Sequence, residues 1–194
     1  MEEFIRSFLA VDIQEPLISH IQSNQTQLKQ LLPESIRWVN VKNIQITIKF
    51  IGNLNIAHIP AVQKELEDGL VSFAEFILQP TELGLFPNSH KPQVIWMGIN
   101  NPAPLTHIFR ITEKIFQNHG YPTEKRKFTP HLTLGRIKKP LTSEEIITMI
   151  NGLDEISFRE EKAIKVSKVN LYKSRLTPSG PEYSEIFHIK FKTK

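Results

Sequence analysis

Apolar and polar residues follow two patterns along the chain, alternation in short segments and recurrence every three or four positions in longer ones. Alternating or β-branched segments predict strands at residues 6–13, 36–41, 44–54, 76–86, 93–99, 128–137, 163–172 and 183–191. Apolar residues at helical spacing predict helices at residues 16–32, 59–73 and 104–118, the first of them ended by Pro33. Strands and helices alternate without a linker-like break, which is typical of an α+β or α/β fold and of one domain over residues 1–194.

Turn-forming residues and one capping motif complete this outline. Thr142 with Glu145 three positions later forms a capping box, which predicts a short fourth helix. Residues 87–92 are rich in turn formers and predict a loop that could lie over a cleft. Residues 174–181 contain two prolines and a glycine and predict a second loop, between the last two strands.

Composition narrows the class of protein. With 40% hydrophobic and 23% charged residues over 194 positions, the chain matches globular proteins and excludes fibrous, coiled-coil and disordered classes. Cysteine is absent, which excludes disulfides, thiolate zinc sites and a cysteine nucleophile. No apolar run approaches the roughly 20 residues that span a bilayer, and the acidic start lacks the order of a secretory signal. We therefore expect a cytoplasmic protein without membrane association, and a monomer by default.

Two four-residue segments that begin 86 residues apart share the order polar, apolar, threonine, apolar. Residues 45–48 read Gln-Ile-Thr-Ile and residues 131–134 read His-Leu-Thr-Leu. Each lies within a predicted strand, so its polar residue and its threonine project to one face and its apolar residues to the other. If the two halves pack as related lobes, these strands face each other across a cleft.

A phosphodiester in that cleft would be approached from two opposite sides, as in-line displacement at phosphorus requires. The net charge of +4 suits such an anionic ligand. His131 can take up or release the proton because histidine titrates near neutrality. Thr47 and Thr133 would hold the non-bridging oxygens, and Arg136 would add charge-assisted hydrogen bonds. This chemistry needs no metal or cofactor; the same residue order is also that of any half-exposed strand.

The sequence around both segments resembles that of a known family. Residues 128–136 read Phe-Thr-Pro-His-Leu-Thr-Leu-Gly-Arg and residues 47–52 read Thr-Ile-Lys-Phe-Ile-Gly. Both are similar to the signatures of the two-histidine phosphoesterases, specifically the RNA 2′,3′-cyclic phosphodiesterases also called 2′-5′ RNA ligases. Residues 6–11, 86–98 and 171–181 resemble the family as well, so the likeness covers essentially the full chain in order.

The resemblance implies a bilobal α+β fold, with two pseudo-symmetric lobes whose antiparallel sheets line a central cleft and whose helices lie outside. It implies hydrolysis of RNA 2′,3′-cyclic phosphate ends to 2′-phosphate ends, and reversible 2′-5′ ligation. The partner is then an RNA or a nucleotide with such an end. In this scheme His131 is the proton acceptor that activates water, and the first-signature histidine is the proton donor to the leaving 3′ oxygen.

Gln45 stands where the resemblance implies that donor, and an amide cannot exchange a proton in the useful pH range. Three outcomes are open from the sequence. Water or a neighbour such as Lys49 protonates the leaving oxygen in a slow enzyme; the chain is a non-catalytic binder of RNA ends; or His90, in the loop after Phe86, supplies the proton.

Several further residues are candidates for contacts with substrate. Phe86 and Tyr172 could each stack on a base, although a place in the core fits them equally. Lys49 and Ser174 are candidate phosphate contacts. The basic residues at 125–127 and 138–139 bracket the second signature and would steer RNA towards the cleft, unless they form an ordinary solvated surface. The remaining histidines have no spacing that indicates a zinc site.

Overall fold

The computed structural model describes residues 3–31, 34–100, 102–155 and 163–193. Its strands are β1 (Phe4–Asp12), β2 (Ile36–Trp38), β3 (Gln45–Asn55), β4 (Phe76–Phe86), β5 (Val94–Asn100), β6 (His131–Ile137), β7 (Ile164–Val166), β8 (Lys168–Thr177) and β9 (Gly180–Lys190). Its helices are α1 (Leu17–Leu31), α2 (Ile59–Leu70), α3 (Ala103–Asn118) and α4 (Ser143–Glu155). Within those ranges no helix is long and apolar enough to cross a membrane. The predicted end of the first helix, at residues 32 and 33, lies outside the described residues.

The described strands form one curled sheet of nine strands, in the order β7-β4-β5-β6-β3-β1-β8-β9, with β2 added to β6. The named strands all pair in antiparallel fashion. A parallel crossover sheet of the α/β type is therefore absent from the part of the chain described, and the α+β alternative is confirmed.

The sheet is made of two lobes with helices outside, as the resemblance implied. Strands β3, β1, β8 and β9 form one lobe, against which α2 and α3 pack. Strands β7, β4, β5, β6 and β2 form the other, with α1 and α4 outside it. Helix α1, from the first half of the chain, thus lies on the lobe that contains β4 to β6. Helix α3 follows β5 of that lobe in the chain but packs on the other lobe, against β3. A parallel bridge between Ala74 and Lys192 ties the outer ends of the lobes.

The inner strands of the two lobes meet at a single residue pair, Ile46 of β3 with Leu132 of β6. Both side chains are fully buried on the helical side of the sheet. Because the ladder between these strands consists of this one pair, β3 and β6 diverge on either side of it. The divergence leaves a cleft on the face of the sheet away from the helices.

One predicted loop is part of a hairpin in the structure, and one predicted motif is confirmed. Residues 174–181 form a hairpin in place of a loop, because β8 and β9 pair up to Thr177 and Gly180 and leave a two-residue turn. The positive φ of Gly180 allows that tight reversal. The capping box is confirmed: the Thr142 amide donates to Glu145 Oε2 at 2.7 Å, and the Glu145 amide donates to Thr142 Oγ1 at 3.2 Å.

Truncation of Leu132 tests how much the junction of the lobes, the Ile46 and Leu132 pair, contributes to stability. We expect Leu132→Ala to lower the free energy of unfolding by about 2–5 kcal/mol, since it leaves a cavity where the lobes meet. The matched control is Ile147→Ala, because Ile147 lies exposed on α4 and its truncation should change stability by less than about 0.5 kcal/mol. Urea unfolding measures both; equal effects would contradict this packing.

Candidate active site

The residue pair that joins the lobes also sets the direction of its neighbours. Ile46 and Leu132 point into the core, and successive side chains of a strand alternate between faces. The residues on either side of each therefore project into the cleft. They are the half-buried Gln45, Thr47, His131 and Thr133, and all four line one cavity.

The register of the pair fixes which of these residues face each other. With Ile46 opposite Leu132 in an antiparallel ladder, Gln45 comes opposite Thr133 and Thr47 opposite His131. Each strand thus supplies one hydroxyl, and His131 and Gln45 lie on a diagonal across the junction. A group bound between the strands meets both pairs at once.

The cavity is large for a small-molecule site. Its volume is about 1990 Å³, whereas ligand pockets are commonly about 300–1,000 Å³. Its walls come from both lobes and from the segments that connect their strands, and include residues 37–45, 47–50, 86–87, 93–94, 122–129 and 179–183. The loop at 122–129 leads directly into His131.

One hydrogen bond determines which nitrogen of His131 is free. Nδ1 lies 2.7 Å from the carbonyl oxygen of Thr129, and a carbonyl can only accept, so Nδ1 carries the proton in the neutral ring. Nε2 then holds the lone pair. The edge of the ring contacts Phe86, with centroids 5.1 Å apart, and Phe86 is itself stacked on Trp96 at 4.8 Å. These contacts hold the imidazole in one orientation.

The electrostatic surroundings favour the neutral form of His131. Burial of the ring lowers the pKa of His131 from its usual value, the hydrogen bond to Thr129 offsets this in part, and the nearby Arg136 guanidinium lowers it further. The imidazole is therefore unprotonated at neutral pH, with Nε2 able to accept a proton.

A β-bulge turns Arg136 towards the cleft. Regular alternation after Thr133 would place residue 136 on the same face as Leu132. The pairing of β6 with β5 shifts by one residue between Thr133 and Gly135, and this extra residue reverses the alternation. Arg136 therefore lines the cavity, where its charge acts on His131.

Lys49 occupies a different environment from the one expected of a substrate contact. Its ammonium is almost fully buried, forms a short ion pair with Glu113 of α3, and donates to the carbonyl of Pro122 at 2.9 Å. Glu113 also accepts from the amide of Glu124 at 2.8 Å. Lys49 thus anchors the start of the loop at 122–129. Its ammonium binds Glu113 and Pro122 and is not directed towards a ligand.

The two aromatic candidates line the cavity, but each is already packed. Tyr172 stacks on Phe8 with centroids 5.4 Å apart, and its hydroxyl donates to Asp12 Oδ1 at 2.8 Å. Burial, followed by this bond to the carboxylate, raises the pKa of Tyr172 well above its usual value. Phe86 packs between Trp96 and His131. Both rings therefore support the walls, and Tyr172 is not an acid of useful strength.

Two of the sequence candidates do not reach the cavity. Ser174 lies two residues beyond Tyr172 on β8, opposite Tyr183, and is not part of the lining. His90 lies exposed in the loop after β4, where its amide donates to Asn88 Oδ1, and it is not part of the lining either. Asn88 Oδ1 also accepts from the amide of Lys91 at 3.1 Å, which closes this turn.

The structure adds residues that sequence reasoning missed. Arg37 on β2 and Tyr183 on β9 both line the cavity. Burial raises the pKa of Tyr183, while the nearby Arg136 and Arg6 lower it in part, so its ring lies within the field of these guanidinium groups. Strand alternation could have predicted the direction of Arg37, since it follows the buried Ile36 and therefore projects to the opposite face of β2.

Comparison with known proteins places this geometry in a family. The model of the LigT-like phosphoesterases matches the chain twice, at residues 11–96 and at residues 98–183. The chain belongs to the LigT-like phosphoesterase family. The double match agrees with two repeated halves, each of which contributes one of the strands that meet at the cleft.

Relatives within the LigT-like family include enzymes of archaea. The RNA 2′,3′-cyclic phosphodiesterase of Methanothermobacter thermautotrophicus is 31% identical, with 94% of this chain and 96% of that protein aligned. The protein of the same name from Methanocaldococcus jannaschii is 34% identical, over 94% of this chain and 98% of its own. Both cover nearly the full length of this chain.

Solved structures show the same fold at lower identity. The crystal structure of TT0787 of Thermus thermophilus superposes with a TM-score of 0.80 at 19% identity, over 97% of this chain and 99% of that one. Escherichia coli LigT complexed with 3′-AMP has a TM-score of 0.75 at 20% identity, over 97% of this chain and 99% of its own. At these identities the likeness shows the LigT-like fold.

No group of three or more His, Asp or Glu side chains suited to a metal ion occurs among the described residues. The groups nearest the meeting point of β3 and β6 are instead two hydroxyls, an amide, an imidazole and the guanidinium of Arg136, and the wider cavity is also lined by Arg37, by Tyr183 and by the carboxyl groups of Asp12, Glu124 and Glu182. The hydroxyls, the amide and the guanidinium groups can donate hydrogen bonds to an anion, whereas the neutral imidazole, whose Nδ1 proton is held by the Thr129 carbonyl, can accept a proton at Nε2.

The electrostatic account of His131 makes a testable prediction for this LigT-like protein. Substitution Arg136→Gln removes a positive charge beside the ring, so we expect the pKa of His131 to rise towards its usual value of about 6.5. An NMR titration of the histidine ring protons measures this, with the His131 signal assigned by its loss in His131→Asn. An unchanged or lower pKa in Arg136→Gln would contradict the proposed coupling.

Proposed function

We propose that this chain hydrolyses RNA 2′,3′-cyclic phosphate ends to 2′-phosphate ends. The observation that carries the proposal is the convergence of His131, Thr47, Thr133 and Arg136 on one cavity through the Ile46 and Leu132 pairing. Relatives that align over nearly the whole chain are named RNA 2′,3′-cyclic phosphodiesterases, which supports the same substrate class.

In this proposal His131 is the general base. Its Nδ1 is fixed by the Thr129 carbonyl, so Nε2 faces the cavity as a proton acceptor. Nε2 takes a proton from a water molecule, whose oxygen forms a bond to phosphorus. The bond between phosphorus and the 3′ oxygen breaks, and the phosphate stays on the 2′ oxygen. The lowered pKa keeps the base unprotonated at neutral pH.

The remaining cleft groups hold the phosphate. The hydroxyls of Thr47 and Thr133 approach from the two strands and can donate to the non-bridging oxygens. Arg136 adds charge-assisted bonds, which strengthen as negative charge develops on those oxygens in the transition state. Gln45 can donate from its amide to the same phosphate, so it retains a binding role without a proton-transfer role.

We propose further that Gln45 occupies the position of the family's proton donor and that the reaction is slow for this reason. Loss of one positioned acid typically costs about 10²–10⁴ in rate, or about 3–5 kcal/mol of barrier. Lys49 does not replace the donor, because Glu113 and Pro122 occupy its ammonium. His90 lies outside the cavity lining. Water in the open cleft is left to protonate the 3′ oxygen.

The second candidate function is a non-catalytic binder of phosphorylated RNA ends. Gln45 favours it, because the amide preserves hydrogen bonding to a phosphate while it removes acid catalysis. The depressed pKa of His131 favours the enzyme, because a neutral imidazole with a free Nε2 is of use to a base and adds nothing to anion binding.

Activity assays on the purified protein separate the two functions. In EDTA, with 2′,3′-cyclic AMP or a short RNA that ends in a cyclic phosphate, we expect slow formation of the 2′-phosphate product. His131→Asn should lower kcat by about 10²-fold or more, with kcat/KM rising through a single limb below about pH 6.5 in the natural chain. No product at high protein concentration, with RNA binding intact, would favour the binder.

Restoration of the donor is the sharper test. We expect Gln45→His to raise kcat by about 10-fold or more, and to change the single ascending pH limb into a bell, because a second imidazole then acts as the acid. His131→Asn in the same background is the control and should remove the gain. If Gln45→His is no faster than the natural chain, the proton already comes from another group and the proposed role of position 45 is wrong.

A further inference from the structure

Two arginines lie side by side on the wall of the cleft. Arg37 of β2 is paired with Arg136 of β6 in an antiparallel ladder. Residues directly opposite in such a ladder project to the same face, with Cβ atoms about 4.5–5.5 Å apart. Both side chains are exposed and both line the cavity. The two guanidinium groups therefore reach into the same part of the cleft.

The fold holds β2 firmly in this place. Gln25 of α1 is buried and donates from its side-chain amide to the carbonyls of Val39 and Leu134, at 2.9 and 3.0 Å. Gly135 lets β2 approach closely, because a Cβ built at that position would lie 3.0 Å from Cγ2 of Ile36. The juxtaposition of Arg37 and Arg136 is thus part of the rigid sheet rather than a chance arrangement of surface side chains.

In the described part of the chain, neither guanidinium of this pair forms an ion pair. Like charges directly opposite each other in a sheet are destabilising. Among the described residues neither Arg37 nor Arg136 has a carboxylate within ion-pair distance, whereas Arg175 is paired with Glu182 at 2.6 Å. Two unpaired guanidinium groups held together at a cleft wall are matched to anionic ligands with more than one charge.

We propose that Arg37 binds the phosphodiester next to the reacting one, on the 5′ side of the terminal nucleotide. This inference rests on the proposed function. A cyclic phosphodiester has two non-bridging oxygens. In the proposed function Arg136, Thr47 and Thr133 bind both of them. A second guanidinium beside them finds its acceptor one nucleotide away. The cavity of about 1990 Å³ continues past Arg37 along residues 38–43, so a second nucleotide has room there.

Two matched substrates test this assignment. One is 2′,3′-cyclic AMP, and the other is the dinucleotide ApA with a 2′,3′-cyclic end, which adds the neighbouring phosphodiester. We expect Arg37→Gln to lower kcat/KM for the dinucleotide by about 10-fold and to leave 2′,3′-cyclic AMP unchanged, since a charge-assisted hydrogen bond is lost only where the second phosphate is present. Arg136→Gln should impair both.

Two controls separate a local contact from a change in net charge. Arg110→Gln removes the same charge from an exposed site on α3 outside the cavity, and should affect neither substrate. A dinucleotide with a neutral methylphosphonate linkage lacks the anion that Arg37 would bind, so Arg37→Gln should not affect its kcat/KM. Equal losses on 2′,3′-cyclic AMP and the dinucleotide, or no loss on either, would overturn the assignment.

A binding measurement keeps this test separate from the catalytic proposal. If the chain turns over neither substrate, the proposed function fails, and the affinities for 2′-AMP and for ApA with a 2′-phosphate still decide the role of Arg37. We expect Arg37→Gln to weaken only the dinucleotide, and to reduce its salt dependence by about 0.7 in the slope of log K against log salt concentration. Loss of affinity for both ligands, or for neither, would contradict the inference.

Discussion

The backbone pairing of Ile46 with Leu132 is the contact on which the site depends. It joins the inner strands of the two lobes, and it directs two buried side chains to the core so that their neighbours face the cleft. Since side chains alternate with a period of two, a slip of one residue in either strand would turn its polar pair inwards and its apolar residues into the cleft. The burial of Ile46 and Leu132 therefore specifies the register that brings Thr47 opposite His131.

Around this junction, local irregularities shape the chemistry. The bulge between Thr133 and Gly135 turns Arg136 to the cleft face, and the absence of a side chain at Gly135 leaves space for β2, which adds Arg37. The loop at 122–129 is fixed at one end by Lys49 and Glu113, and at the other Phe128 stacks on Phe109 with centroids 4.4 Å apart. That loop ends in the carbonyl that sets the protonated nitrogen of His131. Lys49 thus supports the position of His131 through this loop, and its ammonium contacts Glu113 and Pro122.

The pattern of residues predicted most elements and left the α+β and α/β classes open, and the family resemblance implied α+β. Alternation predicted the cleft face of two strands, because it reports which side of a strand is buried. It did not predict features that depend on partners far away along the chain. The ion partner of Lys49 comes from α3, 64 residues later, and no local pattern reports it. Strict alternation places Arg136 on the wrong face, and only the bulge at Gly135 corrects this. Ser174 was expected in a loop because of nearby prolines, but cross-strand pairing extends the hairpin through it.

The most direct test of the central claim is a crystal structure of the protein with 2′-AMP, the nucleotide form of the proposed product. The account predicts a phosphate between β3 and β6, with Nε2 of His131 facing it on one side, the Gln45 amide donating to it on the other, and the hydroxyls of Thr47 and Thr133 donating to its oxygens. A phosphate bound outside the cavity, or held by residues of only one of the two strands, would contradict it.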